Sequence, residues 1–214
     1  MSSGARSTVK FSHYRQSANF VWFEPTDLSR AFRPFQASPK WRSALAYASP
    51  NLNELRVMHN IVFGKDYQLS AGPGDNLEEV LDESLKLGVP LLDGHLHTLI
   101  VTLGPHGVLL ITNLPSEILF PTGQEPTPKD KVRAVYYSAP KPEKLVSVSG
   151  AGDCFAAGMI GSILKGLDPE DCIRAGQRAA LLSLSSHLSV PDSICPQAVF
   201  SKGNEVKSSV SVLL

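Results

Sequence analysis

The chain has 214 residues, 43% of them hydrophobic, with 20 Lys plus Arg balanced by 20 Asp plus Glu. That is enough apolar sequence for one substantial core, and the balanced charge argues against a nucleic-acid groove or an anionic membrane surface. No apolar run approaches the roughly 20 residues that span a bilayer. The three cysteines, Cys154, Cys172 and Cys195, are odd in number and sit in or beside helical patterns, which suits a reducing interior.

Met1 to Asn19 is polar and serine-rich, with Arg6, Lys10 and Arg15 and no acidic residue before Glu24. Mitochondrial transit peptides share that composition, but without an amphipathic arginine face residues 1–17 read as a disordered leader. A cytoplasmic location is expected, with a mitochondrial one as the alternative. From Ala18 strand and helix patterns alternate. Asn19 to Phe23 reads as a buried strand, Thr26 to Phe32 as a short helix opened by Thr26 or Asp27, and Ala44 to Ala48 as the next strand. Asn53 to Phe63 and Leu77 to Leu87 have helical spacing, joined by a Gly- and Pro-containing loop at Ala71 to Asp75. His97 to Thr102 and Val108 to Thr112 are dense apolar strands around a glycine turn. A proline-rich loop, Phe120 to Asp130, precedes the strand Val132 to Tyr137. Two helices follow, Cys154 to Leu164 and Pro169 to Ser185, and residues 201–214 form a tail. The alternation predicts one three-layer α/β/α domain over residues 18–200, with a mostly parallel sheet and ligands at the strand ends.

The stretch richest in chemistry is Val148-Ser149-Gly150-Ala151-Gly152-Asp153, which delivers an aspartate to the start of an apolar helix. Glycine lets a backbone approach a phosphate closely, and the free amides of a helix N-terminus point at negative charge. An aspartate there would be repelled by phosphate if it only held it, so its better use is as a general base beside a transferring phosphoryl group. The plainer reading is a helix cap. Plainer readings exist elsewhere too. Asn51 and Glu54 fit a turn residue and an early helical carboxylate, Thr102 to Gly107 a hairpin between buried strands, and Gln177 a polar position on an amphipathic helix.

The run from Ser147 to Asp153, continued by Ala157-Gly158-Met159-Ile160, resembles the C-terminal signature of the ribokinase-like (PfkB) kinases. In the same chain order, Asn51-Leu52-Asn53-Glu54 resembles the family's Asn-x-x-Glu element and Val101 to Val108 its nucleotide-binding strand and turn. Val21-Trp22-Phe23-Glu24-Pro25-Thr26-Asp27 is similar to the form this strand end takes in pseudouridine kinases. The resemblance implies ATP and Mg2+ as cofactors, with Asp153 as catalytic base and Gly150, Ala151 and Gly152 forming an anion hole. It implies Thr102, Gly104, Gly107 and Gln177 at ATP, and Asn51 with Glu54 organising magnesium and phosphate. The acceptor it implies is a small sugar or nucleoside alcohol, most specifically the 5′-hydroxyl of pseudouridine, with neither nucleic acid nor membrane as partner.

Two features depart from the pattern. The Asp-Thr-Thr that the family usually carries before the glycine turn is Ser147-Val148-Ser149 here, removing the aspartate of a monovalent-cation site, and the glycine expected after the helix Asp171 to Ser185, which resembles the family helix lining the adenine pocket, is replaced near Leu188. The lid and N-terminal βα units of the family have no counterpart upstream of Ala18, since one βαβ unit takes about 30 residues. The chain therefore reads as a truncated form with low or no activity of its own, the rival reading being a non-catalytic nucleotide-binding or interaction domain.

Overall fold

The computed structural model describes residues 21–37, 45–68, 76–93, 96–114, 132–200 and 210–212. The leader, the loop Ala71 to Asp75 and the loop Phe120 to Asp130 lie outside them. Six strands form one sheet in the order β1-β2-β3-β4-β5-β6: β1 (Val21–Phe23), β2 (Leu45–Ala48), β3 (Thr98–Thr102), β4 (Gly107–Thr112), β5 (Arg133–Ser138) and β6 (Val210–Val212). Pairs β1/β2 and β2/β3 are parallel, whereas β3/β4, β4/β5 and β5/β6 are antiparallel. The sheet is thus mixed, correcting the mostly parallel expectation. The physical reason is the short link after β3: four residues, Leu103 and the 3-10 turn Gly104–His106, suffice to reverse the chain but cannot make a parallel crossover.

Alternating residues of the central strands enter two cores. Leu99, Val101, Leu109, Ile111, Ala134 and Tyr136 pack with Leu55, Met58, Leu87 and Leu91 from α2 (Leu52–Phe63) and α3 (Leu77–Leu92). Ile100, Val108, Leu110, Val135 and Tyr137 pack on the other face against Phe155, Met159, Cys172 and Ile173 from α4 (Ala151–Leu164) and α5 (Pro169–Leu184). The two-residue period of a strand produces this division, and it makes the three layers. Helices α4 and α5 approach closely at Gly158 and Gly176, where a Cβ would come within 2.8 Å of Ala175 O and of Phe155 and Met159 side-chain atoms respectively. Among the described residues, no helix is long and apolar enough to cross a membrane.

Element ends differ from the sequence expectation in instructive ways. The helix expected from Thr26 is replaced by turns, because Thr26 has a left-handed φ of 62°; the regular helix α1 is Arg33–Ala37, with Pro34 in its first turn, where a missing N–H costs nothing. Helix α3 continues past Leu87 to Leu92. Buried Leu87, Leu91 and Leu92 hold its last turns against the sheet despite Gly88 and Pro90, and Gly88 leaves room for Ile111, whose Cδ1 would lie 2.6 Å from a Cβ. A further short helix, α6 (Pro196–Phe200), and strand β6 follow α5.

Helices α2 and α3 are joined by a charged clamp. Arg56 is 6% exposed and donates to both carboxylate oxygens of Glu83 at 2.7 Å, and to Asn53 Oδ1 at 2.7 Å. Removing the acid leaves a buried cation without its main partner. Glu83→Ala is expected to cost about 3 kcal/mol in urea unfolding, with much of the loss recovered in the Arg56→Met/Glu83→Leu double variant; equal stability of Glu83→Ala and the parent chain would contradict this.

Candidate functional site

The three parallel strands finish at one end of the sheet, and polar residues follow each. Glu24 follows β1, Ser49 and Asn51 follow β2, and Thr102 ends β3. The Thr102 amide donates to Pro50 O at 2.9 Å, aligning the exit of β2 with the end of β3, and Asn51 forms a bridge with Thr102. The N-terminus of α4 closes the fourth side. Between them lies a cleft of about 250 Å³ lined by Glu24, Thr26, Ser49, Asn51, Glu54, Thr102, Val148, Gly150, Gly152, Asp153 and Phe155. Six of the residues singled out in the sequence therefore meet in one place: Asn51, Glu54, Thr102, Gly150, Gly152 and Asp153.

Gly150 is the N-cap of α4, with φ 82° and ψ −3°. A side chain there would be strained by the left-handed backbone and blocked as well, since its Cβ would lie 2.5 Å from Ser189 O. No side chain caps this helix, and its first intrahelical bond runs from Cys154 N to Gly150 O at 2.9 Å. The amides of Ala151, Gly152 and Asp153 precede that bond, with the positive end of the helix dipole behind them. A Cβ on Gly152 would meet nothing within 4 Å, so the backbone there is open to the cleft. Asp153 is exposed in the first turn and does not serve as the cap.

Asn51 and Glu54 are the turn residue and early helical carboxylate that the sequence suggests, and both also line the cleft. Asn51 caps α2 by accepting from the Glu54 amide at 3.0 Å, and Glu54 Oε2 accepts from the Asn51 amide at 2.8 Å, a reciprocal capping box. Glu54 is only 4% exposed yet lines the cleft. Burial raises its carboxyl above the ordinary range; the Asn51 amide opposes this, and the charges of Asp27 and Asp153 add to it. Glu24 is held by a relay: the indole Nε1 of Trp22 donates to Ser49 Oγ at 2.6 Å, and Ser49 Oγ donates to Glu24 Oε2. Burial pushes the Glu24 carboxyl up to about 7, opposed by the Ser49 hydrogen bond and reinforced by the charges of Glu54 and Asp153.

The cleft thus gathers three carboxylates, while none of its lining residues is Lys, Arg or His. Among the described residues, no group of three or more His, Cys, Asp or Glu is arranged to hold a metal directly. An oxygen-only donor set nevertheless fits magnesium, which keeps several of its waters and needs only one or two carboxylates. A monovalent cation does not fit beside the glycine turn. Ser147 and Ser149 stand in the place of the aspartate element, and the carbonyls of Ser149 and Ser189 face protein donors.

The remaining sequence candidates lie outside the cleft lining. Gly104 starts the 3-10 turn and Gly107 opens β4 with φ 123°, where a Cβ would lie 2.1 Å from Tyr137 O, so the hairpin itself requires that glycine. Gln177 is buried on α5 and donates from Nε2 to Ser138 O at 2.9 Å, joining α5 to the end of β5. Glu24, Thr26 and Ser49 also line the cleft, although the sequence did not single them out as site residues. The available signal was position, since each follows an apolar strand at the end where α/β folds place ligands.

The Glu24 environment has a stability signature. Its folded pKa of about 7 exceeds the ordinary 4.5, so its contribution favours the fold while protonated and is lost as pH rises between those values. Glu24→Gln escapes that loss. In metal-free buffer the variant is expected to gain stability over the parent chain from about pH 4.5 to about pH 7, by on the order of 1–3 kcal/mol in urea unfolding at the upper end. A difference that does not change with pH would rule out the raised carboxyl.

Comparison with known proteins adds the lineage. In fold the chain is similar to a crystal structure from Clostridium perfringens described as a "putative sugar kinase", with a TM-score of 0.57, 13% identity, and coverage of 92% of this chain and 57% of that one. It is also similar to ribokinase from Cryptococcus neoformans var. grubii in complex with ADP, with a TM-score of 0.55, 23% identity, and coverage of 79% of this chain and 48% of that one. The chain spans about half the length of these structures. No curated protein matches it. The sequence model described as pfkB family carbohydrate kinase matches residues 14–194, and with the glycine turn, the Asn51–Glu54 pair and the strand-end cleft in one arrangement, the chain belongs to the PfkB family.

Proposed function

We propose that the chain carries the phosphoryl-transfer side of an ATP-dependent kinase acting on an alcohol of a sugar or nucleoside. The observation that carries the reading is the position of Asp153 in the uncapped first turn of α4, facing the same cleft as Glu54, Asn51 and Thr102. In this reading Asp153 takes the proton of the attacking hydroxyl, and the amides of Ala151, Gly152 and Asp153 receive charge that develops on the transferring phosphoryl. Asn51 and Glu54 hold the waters of magnesium, which when bound neutralises phosphate charge. Thr102 meets the phosphate end of the nucleotide, while Gly104, Gly107 and Gln177 act further along it or shape the backbone that does.

The strand-end sequence from Glu24 to Asp27 supports pseudouridine as acceptor, through its similarity to that element of pseudouridine kinases. Calorimetry with Mg-ATP tests the nucleotide side, and coupled ADP release with pseudouridine, ribose, adenosine and fructose 6-phosphate tests transfer. Asp153→Asn is expected to lower acceptor-dependent ADP release by at least ~10²-fold while Mg-ATP affinity stays within a few-fold. Retention of most turnover in that variant would remove Asp153 as the base. Preference for another acceptor would leave the base in place and replace the substrate assignment, and ATP binding without transfer to any acceptor would favour the non-catalytic reading.

A further inference from the structure

The glycine turn is braced from behind by the segment after α5. The amides of Val146 and Ser147 both donate to Leu184 O, at 2.8 and 3.3 Å, and Ser149 Oγ lies 3.0 Å from Ser189 Oγ. Ser189 O packs where a Gly150 Cβ would stand. The two segments therefore turn main-chain carbonyls, Ser149 O and Ser189 O, toward one buried point. Two carbonyl dipoles aimed at the same place repel unless something positive lies between them, either a cation or X–H donors.

Here protein donors occupy the point. Ser183, fully buried on α5, has Oγ 2.9 Å from Ser189 O and 3.2 Å from Ser149 O, and the Cys154 thiol donates to Ser189 O at 3.2 Å. The neighbouring side chains Ser147, Ser149 and Ser189 bring hydroxyls and no carboxylate. We propose that Ser183 is a positioning residue for the anion-binding turn, its hydroxyl with the Cys154 thiol doing by hydrogen bonding what a monovalent cation would do by coordination, so that the chain needs no such cation. This rests on the kinase reading for its functional consequence, but not for its structural one.

The test begins with thermal unfolding of the full chain at equal ionic strength in potassium, sodium and tetramethylammonium chloride. Midpoints are expected to agree within about 1 °C, since a cation that binds only the folded state would raise them. Ser183→Ala should lower the midpoint by at least about 2 °C in all three salts, because it takes from Ser149 O its Ser183 donor and leaves Ser189 O with the weaker Cys154 thiol alone. A potassium-specific rise in the parent midpoint, or an unchanged midpoint in Ser183→Ala, would overturn the proposal. Mg-ADP affinity separates positioning from simple stabilisation: Ser183→Ala should weaken it about 10-fold. Ser84→Ala, which removes an equally buried hydroxyl bonded only to Val80 O at 2.7 Å on α3, should lower the midpoint and leave affinity unchanged. Equal affinities in the two variants would reduce Ser183 to a structural hydroxyl. Absence of Mg-ADP binding in the parent chain would count against the kinase reading, while the salt series would still decide whether the brace replaces a cation.

Discussion

The close approach of Gly150 to Ser189 is the constraint on which the rest of the site depends. It forces the left-handed turn that starts α4 without a side-chain cap, and the missing cap leaves three amides directed into solvent at the end of the sheet. A serine or asparagine at the N-cap would satisfy one of those donors and stabilise the helix in isolation. The chain instead starts the helix with a glycine that contributes no side chain. Stability is recovered where α4 meets α5, through the crossing at Gly158 and Gly176 and the apolar contacts of Phe155 and Met159.

Opposed electrostatics meet in the cleft that results. One wall offers the helix-terminal amides of α4, suited to an anion, together with the Asp153 carboxylate; the others offer Glu24 and Glu54, suited to a cation. Neither a bare phosphate nor a bare metal satisfies such a surface. An anion carrying its own divalent counter-ion does, because each wall then meets charge of the opposite sign. The carboxyls of Glu24 and Glu54 are raised first by burial, and the neighbouring carboxylates add to the shift.

The sequence made the helices and the glycine turn legible because each has a local cause. The 3.6-residue spacing of α2, α4 and α5 and the Ser149 to Asp153 run mark themselves within a short window. Direction in the sheet did not, since the apolar residues of β4 read alike whether the strand runs up or down, and only the short link after Thr102 decides it. The left-handed Thr26 was equally hidden, as a β-branched residue gives no warning of positive φ. Asn51 and Glu54 show a different limit. Their sequence marked a turn residue and an early helical carboxylate, and the fold makes of these a reciprocal capping box at the edge of the cleft, a pairing the sequence reading had not named.

The hairpin after β3 also divides the domain into ends of unequal importance. Strand β4 leaves the cleft end at Gly107 and finishes at Thr112, and β5 returns from Arg133 to Ser138, where Tyr136 Oη donates to His106 O at 2.6 Å. Everything that shapes the cleft thus clusters at one pole of the sheet, while the connection from β4 to β5 departs and re-enters at the other. Lengthening that connection changes loop closure entropy only slowly, and the strand ends it joins, Thr112 and Arg133, are not among the residues that line the cleft. The far pole is accordingly the place where this lineage could accept insertions, fusions or new binding surfaces while its chemistry stays constant.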